Sequence, residues 1–131
     1  MPIIDAALDA ALAHIADACD ELLYVSDEGV AQGALKSALT VLGTVTLVVG
    51  NGNGDYVIAD YAGSGGGRKL TVAQKNVTVA ANGTVNSWCL SDGTTVYASE
   101  STSAKAVTSG QTYEGESFVA GVVCDATAVT I

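Results

Sequence analysis

A chain of 131 residues with 14 acidic side chains, 5 basic ones and a formal charge of −9 has the size of one ordinary domain, and its charge argues against nucleic acid as a partner, because phosphates are repelled over most of such a surface. Charge is sparse and 49% of the residues are apolar, which argues against disorder. Cys19, Cys89 and Cys124 are odd in number and far apart, so they suit neither a disulfide framework nor a CxxC metal pattern, and reduced buried thiols are expected.

One domain is expected over residues 1–131, with an N-terminal helix over 1–21 and a β-rich body over 22–131. Pro2 is suited to a first helical position, and Ile4, Leu8, Leu12 (or Ala11), Ile15, Cys19 and Leu22 recur at steps of three and four. This spacing predicts an amphipathic helix from about Ile3 to Asp20, roughly 27 Å long, with Asp5, Asp9, Asp17 and Asp20 on its wetter sectors. His14 is expected to be a solvated helix histidine, since the chain has no second His to share a metal. The same aspartates interrupt residues 1–20, so a secretory leader is not expected, and no apolar run is long enough for a bilayer. Synthesis in a cytoplasm without N-terminal export is the expectation, with no membrane partner. Asn76-Val-Thr78 and Asn82-Gly-Thr84 then read as strand and turn residues rather than glycosylation sites.

Leu22–Ser26 reads as a first strand ended by Asp27-Glu28-Gly29. Over residues 30–43, Ala31, Ala34, Leu35, Ala38, Leu39 and Leu42 fit a helix, against which stand Gly33 and Gly43; a long loop packed on the core is the other reading. Val45–Val49 and Tyr56–Ala59 read as strands around a turn at residues 50–55. The stretch Ala62-Gly-Ser-Gly-Gly-Gly-Arg-Lys-Leu-Thr-Val72 divides two compositions, with at least one of Gly65–Gly67 expected at positive φ. Beyond it, Arg68–Ala73 and Asn76–Ala81 are expected strands, and Asn82-Gly83 signals a type I′ hairpin into Thr84–Ser91. Asp92-Gly93 repeats the signal before Thr94–Glu100, after which Thr102–Thr108 and Ser117–Val123 add two strands. Trp88 and Leu90 share one strand face, and Phe118, Ala120 and Val122 another; these are the expected core anchors. The alternating end Ala126–Ile131 is suited to pairing with a neighbour. The fold expected is mainly β, an antiparallel β-sandwich or barrel-like meander with an N-terminal amphipathic α-helix.

Catalytic chemistry is sought in vain in the residues. Gly63-Ser-Gly-Gly-Gly-Arg-Lys-Leu70 lacks the Gly-Lys-Ser/Thr ending of a phosphate loop and leads into a strand rather than a helix. Asn51, Asn53 and Asp55 alternate like the opening ligands of a calcium loop, but the glycine at the sixth position and glutamate at the twelfth are missing in that register. The single histidine has no nucleophile beside it, and no serine sits in an elbow motif. The expectation is a non-enzymatic protein with no catalytic residue, no cofactor and no metal. Interaction surfaces remain, and two are candidates. One is the apolar seam Leu8, Leu12 and Ile15 of the helix, which packs on the sheet or on a neighbouring subunit. The other is the basic group Arg68, Lys69 and Lys75, set against an N-terminal segment with no Lys or Arg before residue 30, so that unlike signs steer assembly.

The Ala-rich helix, Leu22–Ser26, Gly63-Ser-Gly-Gly-Gly-Arg-Lys-Leu-Thr-Val72, Ser87-Trp-Cys-Leu90 with Asp92, and Val107-Thr-Ser-Gly110 together resemble a group of small structural proteins of tailed bacteriophages, of the head decoration (cement) type. What the resemblance implies is a virion protein that binds the outside of the assembled head, with the major capsid protein as partner, and a homo-oligomer such as a trimer. Its location would be the capsid surface after synthesis in the host cytoplasm. The competing reading is a tail or surface β-domain that recognises a glycan or receptor, against which stands the small number of aromatic residues.

Overall fold

The computed structural model describes residues 5–62 and 67–123. Helix α1 runs Asp5–Ala18 and buries Leu8, Leu12 and Ala16, with Ile15 packed at the core margin. The step of four between the buried residues puts them on one stripe, and the exposed alanines keep helix propensity high without bulk. Its end is closed by the Cys19 N–H on the Ile15 carbonyl (2.9 Å) and the Gly50 N–H on the Ala16 carbonyl (3.0 Å), which satisfy acceptors the last turn leaves open.

The chain turns directly into strand β1 (Glu21–Val25), which lies between β2 (Val41–Thr46) and β6 (Gly83–Ser91); β7 (Val96–Val107) completes a four-stranded sheet ordered β2-β1-β6-β7. Strand β1 is buried on both faces. Leu22 and Tyr24 enter the main core, while Leu23 and Val25 join Cys89 and Val96 in a second cluster covered by Val30, Ala34, Leu39 and Val41. This cover is what residues 30–40 form in place of the helix their spacing allowed. Only a single 3₁₀ turn, Lys36–Ala38, appears. Gly33 takes φ +86°, and besides short turn bonds of its own the segment bonds to the start of β7 and the turn before it: Gly33 N–H to Val96 O (2.8 Å), Val96 N–H to Ala34 O (2.9 Å), and Lys36 N–H to Thr94 O (2.8 Å). The long-loop reading is therefore the right one. The strand expected at Val45–Val49 begins earlier, at Val41, and past Thr46 the chain leaves the sheet with Leu47 turned inward and Val48 and Val49 exposed.

A second sheet, ordered β3-β4-β9, comprises β3 (Tyr56–Asp60), β4 (Arg68–Val72) and β9 (Phe118–Val123), and a small pair joins β5 (Asn76–Thr78) to β8 (Thr112–Glu114). Every ladder is antiparallel, and among the described residues no sheet closes into a barrel. The mainly β fold with an N-terminal helix is thus as the patterning predicts. Tyr56, Ile58, Leu70, Val72 and Phe118 face the main core. The helix covers one end of this inner face, where Leu12 reaches to 3.2 Å of where a Gly121 side chain would begin. The four-stranded sheet covers the other, where the Trp88 and Phe118 rings lie 5.4 Å apart.

Four local expectations are corrected. Asn82-Gly83 is no type I′ hairpin: β5 pairs with β8 rather than β6, Gly83 already belongs to β6, and no positive φ is found there. The Asn82 side chain instead accepts the Ser109 N–H at 2.8 Å, tying two loops together. The two strands expected at Thr94–Glu100 and Thr102–Thr108 are one, β7, whose break lies in its pairing rather than its backbone. Residues after Gly110 add β8, which the sequence reading lacked. Val122 is 39% exposed rather than a core anchor, because the β4–β9 register shifts between Leu70↔Gly121 and Thr71↔Val119; the extra residue, Ala120, reverses which later positions point inward. The Asp92-Gly93 hairpin forms as expected, with Gly93 at φ +99° and Asp92 Oδ1 accepting the Thr94 and Thr95 N–H groups. Gly67 takes φ +114°, meeting the expectation for the glycine loop. Ile4, Gly65, Gly66, Cys124 and Ala126–Ile131 lie outside the described residues.

Candidate functional site

Of the two sequence-derived contact surfaces, the helix seam is buried, and in the basic group Arg68 and Lys75 are paired within the chain. Leu8 and Leu12 are each 2% exposed, so the helix seam is filled by the chain's own sheet and offers nothing to a neighbour. Of the basic group, Arg68 sits in a cluster of three carboxylates. Its Nε donates to Asp9 Oδ1 at 2.7 Å, its Nη2 to Asp9 Oδ2 at 3.2 Å and its Nη1 to Asp60 Oδ1 at 2.5 Å, with Asp5 at 3.8 Å. Hydrogen bonds to Asp9, then Asp60, hold the guanidinium protonated well above its usual range. A planar fork meeting a carboxylate with two donors is the strong form of this contact, and here it fastens α1 to β3 and β4.

Lys75 is likewise occupied, with Nζ 2.6 Å from Asp55 Oδ1. Asp55 is 6% exposed and also accepts the Val48 N–H at 2.6 Å. Burial acts to raise its pKa, but the Lys75 hydrogen bond, the Val48 N–H and the Lys75 charge outweigh it and hold the carboxyl below its usual value. The Asn51 and Asn53 side chains are equally structural: Asn51 Oδ1 accepts the Ile58 N–H at 2.8 Å, and Asn53 Nδ2 donates to Val49 O at 2.9 Å. This loop blocks the outer edge of β3, where the Gly52 N–H also takes the Tyr56 carbonyl at 2.8 Å, and an edge so covered is closed to strand addition.

Lys69 differs from its two neighbours in forming no ion pair among the described residues. It lies on the outer face of the β3-β4-β9 sheet. The register puts Val57, Thr71 and Val119 in one cross-strand row and Ala59, Lys69 and Val122 in the next. Val57 is 50% exposed and Val119 is 44% exposed. The result is an apolar sheet face with one ammonium in it, on a protein of net charge −9. Sequence reasoning found Lys69 but missed the valines. Strict alternation puts Val119 and Val122 on opposite faces, and it is the register shift at Ala120 that brings both to the outer one.

The thiols and phenols are placed for structure. Burial pushes the Cys19 thiol up to about 12 and the Cys89 thiol up to about 11, which keeps both as thiols rather than nucleophilic thiolates at neutral pH. Tyr56 donates to the Cys19 carbonyl (2.7 Å) and Tyr24 to the Lys75 carbonyl (2.9 Å), and burial raises both phenols. His14 is exposed on the helix, 6.0 Å from the Tyr97 ring. No helix among the described residues is long and apolar enough to cross a membrane. In comparisons with family models, with curated proteins and with solved structures, nothing matches this chain.

Proposed function

We propose that the protein is a non-enzymatic virion structural protein of a tailed bacteriophage, a head decoration protein that docks on the outside of the assembled capsid through the outer face of its β3-β4-β9 sheet. The reading draws on the resemblance of the helix, glycine-loop and Ser87–Leu90 segments to that group. The observation that carries it is the exposed row of Val57 and Val119 beside Val122 and Lys69. An apolar strip with one cation unpaired among the described residues suits an apolar partner surface bearing a carboxylate.

Its size suits a lattice. Three strands about 4.8 Å apart, two of 5 residues and one of 6 at roughly 3.3 Å per residue, present on the order of 250 Å², well under the roughly 800 Å² each partner contributes to a stable interface. One such contact is weak. Repeated by a homo-oligomer over a shell of identical subunits it becomes strong, because linked sites multiply their affinities. Electrostatic steering by Arg68 and Lys75 is no part of this reading, since both are occupied within the chain.

The test is sedimentation of the purified protein with undecorated shells. The unmodified chain should bind to a fixed stoichiometry, and Val57→Asp with Val119→Asp should bind at least tenfold more weakly while melting within a few degrees of the parent. Equal binding by both proteins, or failure of the unmodified chain to copurify with virions, rejects the proposal.

A further inference from the structure

Between the two sheets lies a groove that borders the docking face and shares Lys69, Thr71 and Val119 with it. Two adjoining hollows of about 550 and 390 Å³ share Trp88, Thr102, Ser103 and Glu116. The groove exists because the β6–β7 ladder breaks there. Val85 pairs with Lys105 and the next pair is Ser87 with Ser101, leaving Asn86 alone opposite Thr102, Ser103 and Ala104. This unpaired, hydroxyl-bearing stretch of β7 lines the hollow together with Phe118 and Val119 at the start of β9.

The floor is aromatic and fixed. Trp88 donates its indole N–H to the Tyr113 hydroxyl at 3.1 Å, and its ring lies 5.4 Å from Phe118. The wall carries the hydroxyls of Ser101, Thr102 and Ser103, and each end sets an amine with a carboxylate: Lys69 with Glu100 in one hollow, Lys105 with Glu114 in the other. Glu116 lies between them.

We infer that this groove binds a neutral oligosaccharide of two or three residues. Its lining mixes hydroxyls, amines and carboxylates, which suits sugar hydroxyls, each able to give and to take a hydrogen bond. The carboxylates Glu100, Glu114 and Glu116 outnumber Lys69 and Lys105, so an anionic ligand is disfavoured, and a polar wall offers little to a wholly apolar one. The volume lies in the range of roughly 300–1,000 Å³ usual for small-molecule sites. Because Lys69, Thr71 and Val119 belong to both surfaces, the two proposals are told apart by Val57→Asp, which lies outside the groove lining, and Thr102→Lys, which lies outside the docking face.

Trp88 is the chain's only tryptophan, so its fluorescence reports the groove directly. The full chain is titrated with maltotriose, cellotriose, triacetylchitotriose and mannotriose, and with 3′-sialyllactose as the anionic counterpart, while amide shifts are followed by NMR. At least one neutral trisaccharide should give a saturable change, with shifts centred on Ser101–Ser103 and Glu116. Thr102→Lys, which fills the groove from an unpaired position, should weaken that binding at least tenfold, and Glu116→Gln should weaken it by a smaller factor, both with unaltered melting. The inference is overturned if none of the four neutral sugars produces saturable shifts at these residues, if 3′-sialyllactose binds more tightly than any of them, or if Thr102→Lys leaves the affinity unchanged.

Discussion

At the level of single residues the buried ion pair Asp55–Lys75 has the clearest consequence. Asp55 titrates below its ordinary value of 3.8 in the folded chain. A depressed folded pKa contributes stability that is complete above the ordinary carboxylate range and is lost as pH falls through the folded value. Asp55→Asn should therefore destabilise the protein at neutral pH by about 1.5–3 kcal/mol, the range for a hydrogen bond to a charged group. It should also flatten the dependence of melting temperature on pH below roughly pH 5. Equal acid-side slopes for parent and variant would refute this. The cysteines give a second outcome. With thiols pushed up to about 12 and about 11 at Cys19 and Cys89, neither should react with a disulfide-exchange reagent at pH 8 until the chain unfolds. In a Cys124→Ser background the labelling rate should equal the unfolding rate.

For the elements, the helix and the β8–β9 connection carry the testable contacts. Leu12 lies under the helix against Gly121 and is 2% exposed. Leu12→Ala should cost about 2–5 kcal/mol, the range for a large core side chain removed, as read by denaturant melting. Leu12→Asp should prevent folding, because it buries an unpaired charge. Gly115 is required for space: a Cβ there would overlap the Tyr24 hydroxyl oxygen and stand 2.5 Å from the Lys75 carbonyl oxygen. That carbonyl accepts both the Tyr24 hydroxyl (2.9 Å) and the Gly115 N–H (3.0 Å). Gly115→Ala should thus destabilise by about 1–3 kcal/mol through overpacking, and Tyr24→Phe with Gly115→Ala should lose less than the sum of the two changes. Strict additivity would place the strain elsewhere.

Across the whole molecule the charges are arranged for folding more than for assembly. Of the three cations near the glycine loop, Arg68 joins the helix to the second sheet and Lys75 neutralises a buried carboxylate, while Lys69 forms no ion pair among the described residues. Arg68→Gln and Lys75→Gln should accordingly lower the melting temperature and leave the affinity of the folded protein for shells unchanged. Lys69→Gln should do the reverse, slowing association at low salt with a difference that shrinks as salt rises. Stopped-flow binding at two ionic strengths, alongside thermal melting of each variant, separates these assignments.

The helix, the strand-rich body and the Asp92-Gly93 hairpin were legible in the residues, because each depends on short-range spacing: steps of three and four for Leu8 and Leu12, and an aspartate that bonds the two amides after its glycine. The β-branched and aromatic content of Leu22–Ser26 likewise predicts a strand. What local spacing cannot carry is which elements meet. Residues 30–40 have helical periodicity and become a lid, because the second face of β1 needs covering and Gly33 lets the chain pair with β7. Asn82-Gly83 has the chemistry of a hairpin, yet β5 finds β8 because Val77 and Tyr113 both enter the main core. One bulge at Ala120 turns Val122 from the core to the surface, and one register break at Asn86 opens the Trp88 groove. The identities of Arg68, Lys69 and Lys75 were plain from the chain, but which of them stays available was decided by three-dimensional distance to Asp9, Asp60 and Asp55. Those carboxylates stand 59, 8 and 20 positions away in sequence and within 2.7 Å in space; the packing of helix on sheet brings Asp9 there, and the β3–β4 pairing brings Asp60 and Asp55.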